Sequence, residues 1–291
     1  MTIRVKRLGY ALGAEITGVD LAKPISDATI AEIRAAWLEH QVLVFPNADI
    51  TAEQHIAFSC RFSDLEVGLT KHYRESANPG IVRVTNRVVD GKPSISRNVG
   101  RTWHSDSAFA LVPPMGSLLH CKELPEVGGD TLFANMYMAY ERLSPGLRKL
   151  IAPLEVVNDR LAAPELHWIP PEQAARERIE WPPTVQPVVR VHPETGRKAI
   201  YCNETVTVKI HGMTPEESEG VLKYLYSHCV RPEFVYRHRW QLHDLVMWDN
   251  RCTMHLAPVD YDMSHVRDMS RTTLRGTPTG RVYDSSKEYL E

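Results

Sequence analysis

The chain has 291 residues, of which 43% are hydrophobic and 24% charged, and its formal net charge is −2. This length and apolar content support a sizeable core, and all-β domains of roughly 200–250 residues occur as one unit. The sequence has no run of lysine and arginine of the kind that attracts nucleic acids or membrane surfaces, so we expect neither as a partner.

The cysteines and the N-terminal residues indicate the compartment. Five scattered cysteines without a C-x-x-C pair indicate neither a disulfide framework nor a structural zinc site. Residues 1–6 alternate apolar and basic side chains and have no apolar signal-peptide region. No window has the roughly 18 uninterrupted apolar residues that a membrane span needs. These features predict a cytoplasmic protein.

The first third of the chain alternates short strands with helices. Residues 2–20 predict two short strands, and Ser26 is the predicted N-cap of a helix with apolar residues at helical spacing. The apolar run at 42–45 predicts a buried strand, and the capping-box pattern of Thr51 and Gln54 predicts a second helix. Residues 63–80 are predicted to be a loop, which a strand follows.

Two later segments are predicted to be loops and the rest is mostly strand. The polar, glycine-bearing stretch 85–102 predicts an active-site loop, since long loops inside a domain are usually functional. The segment 160–188, rich in Trp and Pro, predicts an insertion-like loop. The other predicted elements are strands at 81–84, 117–120, 132–133, 188–191, 199–202, 234–240, 245–248 and 267–275, and helices at 135–143, 145–151 and 215–229.

Many short strands and few helices favour one mainly β domain over residues 1–291, a sandwich or barrel with flanking helices. A doubly wound parallel sheet is disfavoured because the strand–helix alternation does not persist along the chain.

A metal site is suggested by His104 and Asp106, which are two residues apart and share one face of a strand or strand end. His255, which follows an apolar strand and a turn-forming Asp-Asn pair, is the candidate third ligand. Two histidines and a carboxylate form the facial triad of non-heme Fe(II) oxygenases, whereas a structural zinc site has four ligands. A chance H-x-D pair and a hydrogen-bonded turn histidine are the alternatives.

Two arginines near the C-terminus suggest that the protein binds anions. Arg267 and Arg271 are four residues apart and share one face of the predicted strand. Buried guanidinium groups need anionic partners, and they bind carboxylates bidentately. A dicarboxylate cosubstrate and an anionic substrate would satisfy one arginine each. The alternatives are pairing with Asp260, Asp262 or Asp268, or two solvated arginines on an edge strand.

Several motifs together resemble the TauD/TfdA family of Fe(II)- and 2-oxoglutarate-dependent dioxygenases. The resemblance extends from about Gly13 to Gly276 and includes, besides the two arginines, Trp-His-Ser-Asp-Ser at 103–107, Gly-Gly-Asp-Thr at 128–131 and Trp-Asp-Asn-Arg…His at 248–255. It implies a double-stranded β-helix (jelly-roll) core and Fe(II) bound by His104, Asp106 and His255. It also implies 2-oxoglutarate and O2 as cosubstrates and a homo-oligomer, either a dimer or a tetramer.

The same resemblance implies roles for residues around the iron. Thr131 and Arg267 would hold the far carboxylate of 2-oxoglutarate. Arg271 would meet the acidic group of a small anionic substrate, helped by the backbone N–H of Ser107. Lys71 and His72 match the stretch where family members place a basic substrate contact.

The choice of substrate depends on smaller differences within the family. Taurine-cleaving members have an asparagine where this chain has Gly100. Their aromatic contact after the basic histidine is offset from the position of Tyr73, which directly follows His72. Taurine or another alkylsulfonate is therefore the second candidate and not the first. The sequences Trp-His-Ser-Asp-Ser at 103–107 and Phe-Val-Tyr-Arg-His-Arg-Trp at 234–240 are closer to those of the phenoxyacetate-cleaving branch. We therefore expect hydroxylation of a carboxylate such as an aryloxyalkanoate, whose product can collapse to give net bond cleavage. A cupin-like metal hydrolase and a non-catalytic metal-binding barrel are the alternatives from other classes.

Overall fold

The computed structural model describes residues 2–69, 78–89, 92–94 and 99–287. Strands predominate, and helices flank them, as predicted. The described strands are β1 (Arg4–Arg7), β2 (Ala14–Thr17), β3 (Val42–Phe45), β4 (Val82–Thr85), β5 (Val88–Val89), β6 (Lys92–Pro93), β7 (Gly116–Glu123), β8 (Thr131–Asn135), β9 (Glu155–Asn158), β10 (Thr184–Pro187), β11 (Val189–Val191), β12 (Lys198–Ile200), β13 (Thr207–Ile210), β14 (Val235–His238), β15 (Leu245–Asp249), β16 (Thr253–Leu256), β17 (Asp268–Leu274) and β18 (Arg281–Val282). The described helices are α1 (Asp27–His40), α2 (Ala52–Ser59), α3 (Met136–Glu141), α4 (Pro145–Ile151), α5 (Pro171–Glu180) and α6 (Pro215–Cys229).

Two sheets form the part of the fold that carries the site. The larger has seven strands in the order β1-β2-β3-β15-β7-β17-β4, and the smaller has the order β14-β8-β16. Their neighbouring strands are antiparallel except for β2 and β3. Val246, Trp248 and Met269 of the larger sheet share an apolar cluster with Phe133 of the smaller sheet. The two sheets therefore pack face to face.

The alternation of side chains along each strand decides which face each residue covers. In β15, Val246 and Trp248 join the cluster between the sheets, whereas Leu245 and Met247 join a second cluster on the opposite face. A strand exposes successive side chains to opposite faces, so a strand buried on both faces is apolar throughout. This explains why the apolar run in β15 has no polar alternation.

Helices α1 and α2 cover the outer face of the larger sheet. The predicted caps are confirmed, because Ser26 Oγ accepts a hydrogen bond from Thr29 N at 3.2 Å, and Thr51 and Gln54 form a complete capping box. Trp37 of α1 and Phe58 of α2 are buried in the second cluster. The capping residues thus direct two helices onto an apolar face that would otherwise meet water.

A third apolar cluster lies under α3 and α6. Leu222 and Leu225 of α6 pack there with Ile200 and Ile210 of neighbouring strands. The predicted start of α6 is confirmed, since Thr214 forms a capping box with Glu217. None of the described helices has the length and apolar character of a membrane-spanning segment.

The two predicted loops are only partly irregular. Segment 160–188 contains two 3-10 turns, α5 and β10, so its prediction as a loop was wrong. Helix α5 has no buried residue, and without an apolar stripe it lacks the pattern by which a helix is recognised in sequence. Within 85–102, the described residues include the short hairpin of β5 and β6. Strands β9, β13 and β16 were also not predicted.

Candidate active site

The three predicted metal ligands meet in the gap between the two sheets. His104 forms an isolated β-bridge with His255 of β16, in which His255 N donates to His104 O at 2.7 Å. Asp106 follows in a turn, and its Oδ1 lies 3.9 Å from His104 Nε2 and 3.7 Å from His255 Nε2. Two nitrogens and one oxygen therefore face a common point, as the facial-triad pattern requires.

Hydrogen bonds orient the first imidazole and the carboxylate. His104 Nδ1 lies 2.8 Å from the carbonyl oxygen of Thr102 and must donate to it, which leaves Nε2 unprotonated as a ligand. On the carboxylate, Oδ2 of Asp106 accepts hydrogen bonds from Ser117 Oγ at 2.7 Å and from Asn250 Nδ2 at 3.2 Å. These two bonds occupy Oδ2 and leave Oδ1 facing the imidazoles.

The charges around Asp106 favour the ligand forms of the triad. Burial by itself raises the pKa of the Asp106 carboxyl, but Arg271, the two histidines and Ser117 together hold that pKa well below its usual range. Burial, followed by the nearby His104, lowers the pKa of His255 to about 3. An ionised carboxylate and a neutral imidazole are the forms that bind a metal ion.

Aromatic rings form one wall of this site. The ring of Trp248 lies 4.9 Å from that of His255, and the ring of Phe133 stacks on His255 at 6.1 Å. Nδ1 of His255 is buried and has no hydrogen-bond partner among the described residues. The wall restricts access of water and fixes the plane of the imidazole by packing rather than by hydrogen bonding.

Arg267 is a buried cation beside the triad. Its Nε donates to Gly129 O at 2.8 Å and its Nη2 to Thr131 Oγ1 at 3.4 Å. It is 7% exposed and forms no ion pair with any described carboxylate. Burial lowers the pKa of Arg267 from its ordinary value, although a guanidinium stays protonated in proteins. A buried guanidinium without a carboxylate partner is energetically costly, so we expect an anion from outside the chain to bind it.

Thr131 offers that anion a second donor. Its Oγ1 accepts hydrogen bonds from both Trp240 Nε1, at 3.0 Å, and Arg267. A hydroxyl that already accepts two bonds has its own proton available for another acceptor. Thr131 and Arg267 could therefore bind one carboxylate together.

The acidic residues suggested as partners for the arginines are engaged elsewhere. Asp268 pairs with Arg83 and Arg87, and Asp260 pairs with Arg237. Asp262 accepts a backbone hydrogen bond from Ser264. The suggestion that these aspartates neutralise Arg267 and Arg271 was wrong, because Asp268 lies on the other face of β17, whereas Asp260 and Asp262 lie in the loop before this strand.

Arg271 contacts a predicted metal ligand. Its Nη1 lies 3.0 Å from Asp106 Oδ1, so in this structure it is paired within the protein rather than waiting for an external anion. Strand β17 lies between β7 and β4, so the alternative of two solvated arginines on an edge strand was also wrong. Met269 and Arg271 share the face of β17 that points between the sheets, and Arg267, one residue before the strand, reaches Thr131 on the same side.

Two small cavities join at the triad. The first lies between the two histidines and Arg267, and its lining residues are Val82, Val84, Val99, Gly100, His104, Leu119, Thr131, Trp248, His255, Ala257, Arg267 and Arg271. The second contacts Asp106 and Ser107 and shares Gly100, His104 and Arg271 with the first. A ligand in one cavity would therefore lie beside a ligand in the other. Lys71 and His72 lie outside the described residues.

Some contributors to the site were not identified from sequence. Ser117 and Asn250 hold the carboxylate of Asp106, and Trp240 holds Thr131. Ser117 is the second residue of β7 and directly precedes the apolar pair Leu118 and Leu119, and a polar residue next to a buried run was the available signal. Asn250 belongs to the Trp-Asp-Asn-Arg…His motif at 248–255, but its sequence signal is only that of a turn-forming residue.

Two other features have the appearance of sites but are explained structurally. His192, Asp249 and Cys252 lie close enough to bind a metal, yet Asp249 already accepts hydrogen bonds from His192 and, bidentately, from Arg251. A groove of about 680 Å³ between α6 and β13 is larger than either active-site cavity, but its charged lining is mostly the carboxylates of glutamates on its rim. The carboxylate of the first is already occupied by protein donors, and the lining of the second contains no imidazole and no guanidinium group.

Comparison with known proteins gives consistent matches along almost the whole chain. Residues 4–273 match the family described as Taurine catabolism dioxygenase TauD, TfdA family. An (S)-phenoxypropionate/alpha-ketoglutarate-dioxygenase of Sphingobium herbicidovorans is 33% identical, covering 94% of this chain and 96% of the relative. An alpha-ketoglutarate-dependent 2,4-dichlorophenoxyacetate dioxygenase of Cupriavidus pinatubonensis is 30% identical, covering 94% and 98%.

A solved structure extends the similarity to three dimensions. The crystal structure of AAD-2 in complex with Mn(II) and N-oxalylglycine is 34% identical and has a TM-score of 0.81, covering 96% of this chain and 100% of that one.

Proposed function

Because this chain belongs to the TauD/TfdA family, we propose that it hydroxylates a small carboxylate of the aryloxyalkanoate class. It is a 2-oxoglutarate-dependent dioxygenase, and its cosubstrates are 2-oxoglutarate and O2, with Fe(II) as the metal. The observation that carries the substrate proposal is the match along 94% of the chain to two relatives named for phenoxypropionate and 2,4-dichlorophenoxyacetate.

In this proposal His104, Asp106 and His255 hold the Fe(II). The donor set of two imidazoles and one carboxylate fits the metal, and the hydrogen bonds at His104 Nδ1 and Asp106 Oδ2 support it by directing the free atoms to one point. Bound iron would couple the decarboxylation of 2-oxoglutarate to succinate with hydroxylation of a substrate C–H bond.

Arg267 and Thr131 bind the far carboxylate of 2-oxoglutarate. The support is that the buried guanidinium of Arg267 has no described carboxylate partner and lies next to the hydroxyl of Thr131, whose proton is available for a hydrogen bond. The apolar side chains between this pair and the histidines suit the methylene groups of the cosubstrate and limit the access of water.

Arg271 and the backbone N–H of Ser107 bind the acidic group of the substrate in the second cavity. Its apolar lining, including Phe109 and Leu166, suits an organic body next to that group. Hydroxylation at a carbon that bears an ether oxygen gives a hemiacetal or hemiketal, which collapses to an alcohol or phenol and a carbonyl compound. The net result is cleavage of the ether bond.

Four further expectations belong to the same proposal. The face-to-face antiparallel sheets support a double-stranded β-helix core and a single domain over residues 1–291. The five cysteines form no disulfide, which supports the cytoplasm as the compartment. The family resemblance also predicts a dimer or a tetramer, and light scattering would measure this oligomeric state.

A screen under air tests the proposed reaction. The protein is incubated with Fe(II), ascorbate, 2-oxoglutarate and a panel of aryloxyalkanoates and alkylsulfonates, and succinate and the released phenol or sulfite are measured. We expect succinate with aryloxyalkanoates and none under argon. Turnover of taurine instead, which the family description favours as the second candidate, would overturn the substrate proposal. Turnover that persists without O2 would indicate a hydrolase.

The division of labour between the two arginines gives a second prediction. Arg267→Ala should raise the KM for 2-oxoglutarate about tenfold or more, because one charge-assisted bidentate contact is lost. Arg271→Ala should raise the KM for the organic acid and leave that for 2-oxoglutarate within about threefold. Steady-state kinetics with each substrate varied in turn measures both. The same kinetic defect in both variants would contradict the assignment.

A further inference from the structure

The second cavity contains a cation that the proposed reaction does not use. Arg160 lines this cavity together with His104, Asp106 and Arg271. It comes from the 3-10 turn Arg160–Ala162, whereas Arg271 comes from β17. Two guanidinium groups therefore reach one cavity of about 110 Å³ from separate elements.

Arg160 is held in place on three sides. Its Nε lies 2.8 Å from Oε2 of Glu177 in α5. The guanidinium carbon lies 5.2 Å from the centre of the Phe109 ring and 5.9 Å from that of Trp181. The two rings meet edge to face at 6.0 Å. Contacts of this kind fix a planar cation without consuming its N–H groups.

Most of the donor capacity of Arg160 is unused. The residue is 8% exposed, and no hydrogen bond joins either of its Nη atoms to a described residue. A guanidinium has five N–H donors, and those of the two Nη atoms remain available to an acceptor in the cavity. The wall of a substrate cavity is a place where a ligand can supply that acceptor.

Each of the two arginines at this cavity has its own carboxylate partner in the protein, and the two do not share one. Asp106 pairs with Arg271, and Glu177 pairs with Arg160. Because each arginine has its own carboxylate, one substrate carboxylate is not required to satisfy both. The N–H groups that these two pairs leave unused can hold two different acceptors on one ligand. Glu165 also lines the cavity but is exposed, where solvent screens its charge.

We propose that Arg160 is a specificity-determining residue that binds a second acceptor on the substrate, apart from the carboxylate held by Arg271. The preferred substrates are then aryloxyalkanoates whose ring carries an anionic group, such as a second carboxylate. This inference rests on the proposed function and narrows its substrate class.

Calorimetric binding tests the proposal without turnover. The complete protein is loaded with Mn(II) and N-oxalylglycine and titrated with phenoxyacetate or with para-carboxyphenoxyacetate. The wild type should bind the dicarboxylate more tightly. Arg160→Met should weaken binding of the dicarboxylate by about tenfold to a hundredfold, the effect of losing a hydrogen bond to a charged group, and that of phenoxyacetate by less than about threefold.

The matched control is Arg178→Met. Arg178 of α5 pairs with Asp159 at 2.7 Å and does not line the cavity, so the variant loses a contact that anchors α5 but keeps the guanidinium of Arg160. We expect the preference for the dicarboxylate to be unchanged in this variant. If Arg178→Met abolished the preference as fully as Arg160→Met, Arg160 would act only by anchoring α5, and the proposal would be overturned.

The remaining outcomes separate this inference from the proposed function. Equal losses for both acids in Arg160→Met would show that Arg160 does not read a second acceptor and would overturn the inference alone. A wild type that takes up Mn(II) and N-oxalylglycine but binds neither acid would overturn the aryloxyalkanoate proposal and the inference with it.

Discussion

The carboxylate of Asp106 is the residue on which the interactions of the site converge. One oxygen faces two imidazoles and Arg271, and the other accepts hydrogen bonds from Ser117 and Asn250. Burial opposes ionisation of this group, yet its cationic and polar neighbours outweigh burial and lower its pKa. The carboxylate is thus kept both charged and oriented, the two properties a metal ligand needs.

Removal of the Ser117 hydroxyl should loosen that orientation. We expect Ser117→Ala to weaken Mn(II) binding by about tenfold to a hundredfold, as is usual when a group that orients a metal ligand is lost. Ser59→Ala is the control, since Ser59 is equally buried but bonds to His55 and Thr272. Titration calorimetry measures both affinities. Equal affinity in Ser117→Ala and the parent protein would argue that Asn250 and packing suffice.

At the scale of elements, β17 and α6 illustrate how local patterns serve the site. Strand β17 alternates its side chains, so Met269 packs between the sheets while Arg271, on the same face, reaches the triad. Helix α6 buries Leu222 and Leu225 in the third apolar cluster, together with Ile200 of β12 and Ile210 of β13. Its start is defined by Thr214, whose Oγ1 accepts from Glu217 N at 3.2 Å.

The cap of α6 gives a prediction at this scale. Thr214→Ala removes the hydrogen-bond acceptor for Glu217 N and should lower the free energy of unfolding by about 1 kcal/mol. Thr214→Ser keeps the hydroxyl and should be within about 0.5 kcal/mol of the parent. Urea unfolding followed by circular dichroism measures the difference. A serine variant as unstable as the alanine variant would show that the methyl group, and not the cap, is responsible.

At the scale of the whole molecule, two histidines on the far side of the larger sheet contribute to the dependence of stability on pH. His55 of α2 and His120 of β7 are both buried there. Burial, followed by the neighbouring His120 and Lys122, lowers the pKa of His55 to about 3. Burial and Lys122 lower that of His120 to about 4. Both rings are neutral in the folded protein at neutral pH.

The sign of the pH dependence follows from these depressed values. Below about pH 6.5 the unfolded chain protonates both histidines while the folded chain does not, so stability falls as the pH decreases towards 4. Each group contributes up to about 1.4 kcal/mol per pH unit in this window. His120→Phe should therefore reduce the slope by about that amount in metal-free protein, measured by urea unfolding between pH 4.5 and 7.5. An unchanged slope would contradict the assignment.

Local patterns in the sequence were sufficient for most elements and for two of the three candidate metal ligands. Helix caps and apolar strand runs involve residues that are close in sequence, so they can be recognised without the tertiary structure. The caps at Ser26, Thr51 and Thr214 are examples. The pair His104 and Asp106 is likewise local. His255 was linked to them through the family resemblance, because a separation of about 150 residues carries no physical signal of proximity by itself.

Only the tertiary structure decided which charges meet. It paired Arg271 with Asp106, left Arg267 without a described carboxylate, and brought Ser117 and Asn250 to the same carboxylate. Within segment 160–188 it also formed helix α5, which carries Glu177 to Arg160 beside the second cavity. Electrostatic partners depend on distances between elements far apart in the chain, whereas caps and periodicity depend on neighbours. Sequence therefore determined the types of the candidate ligands and the family, and packing determined the charge network around the candidate site.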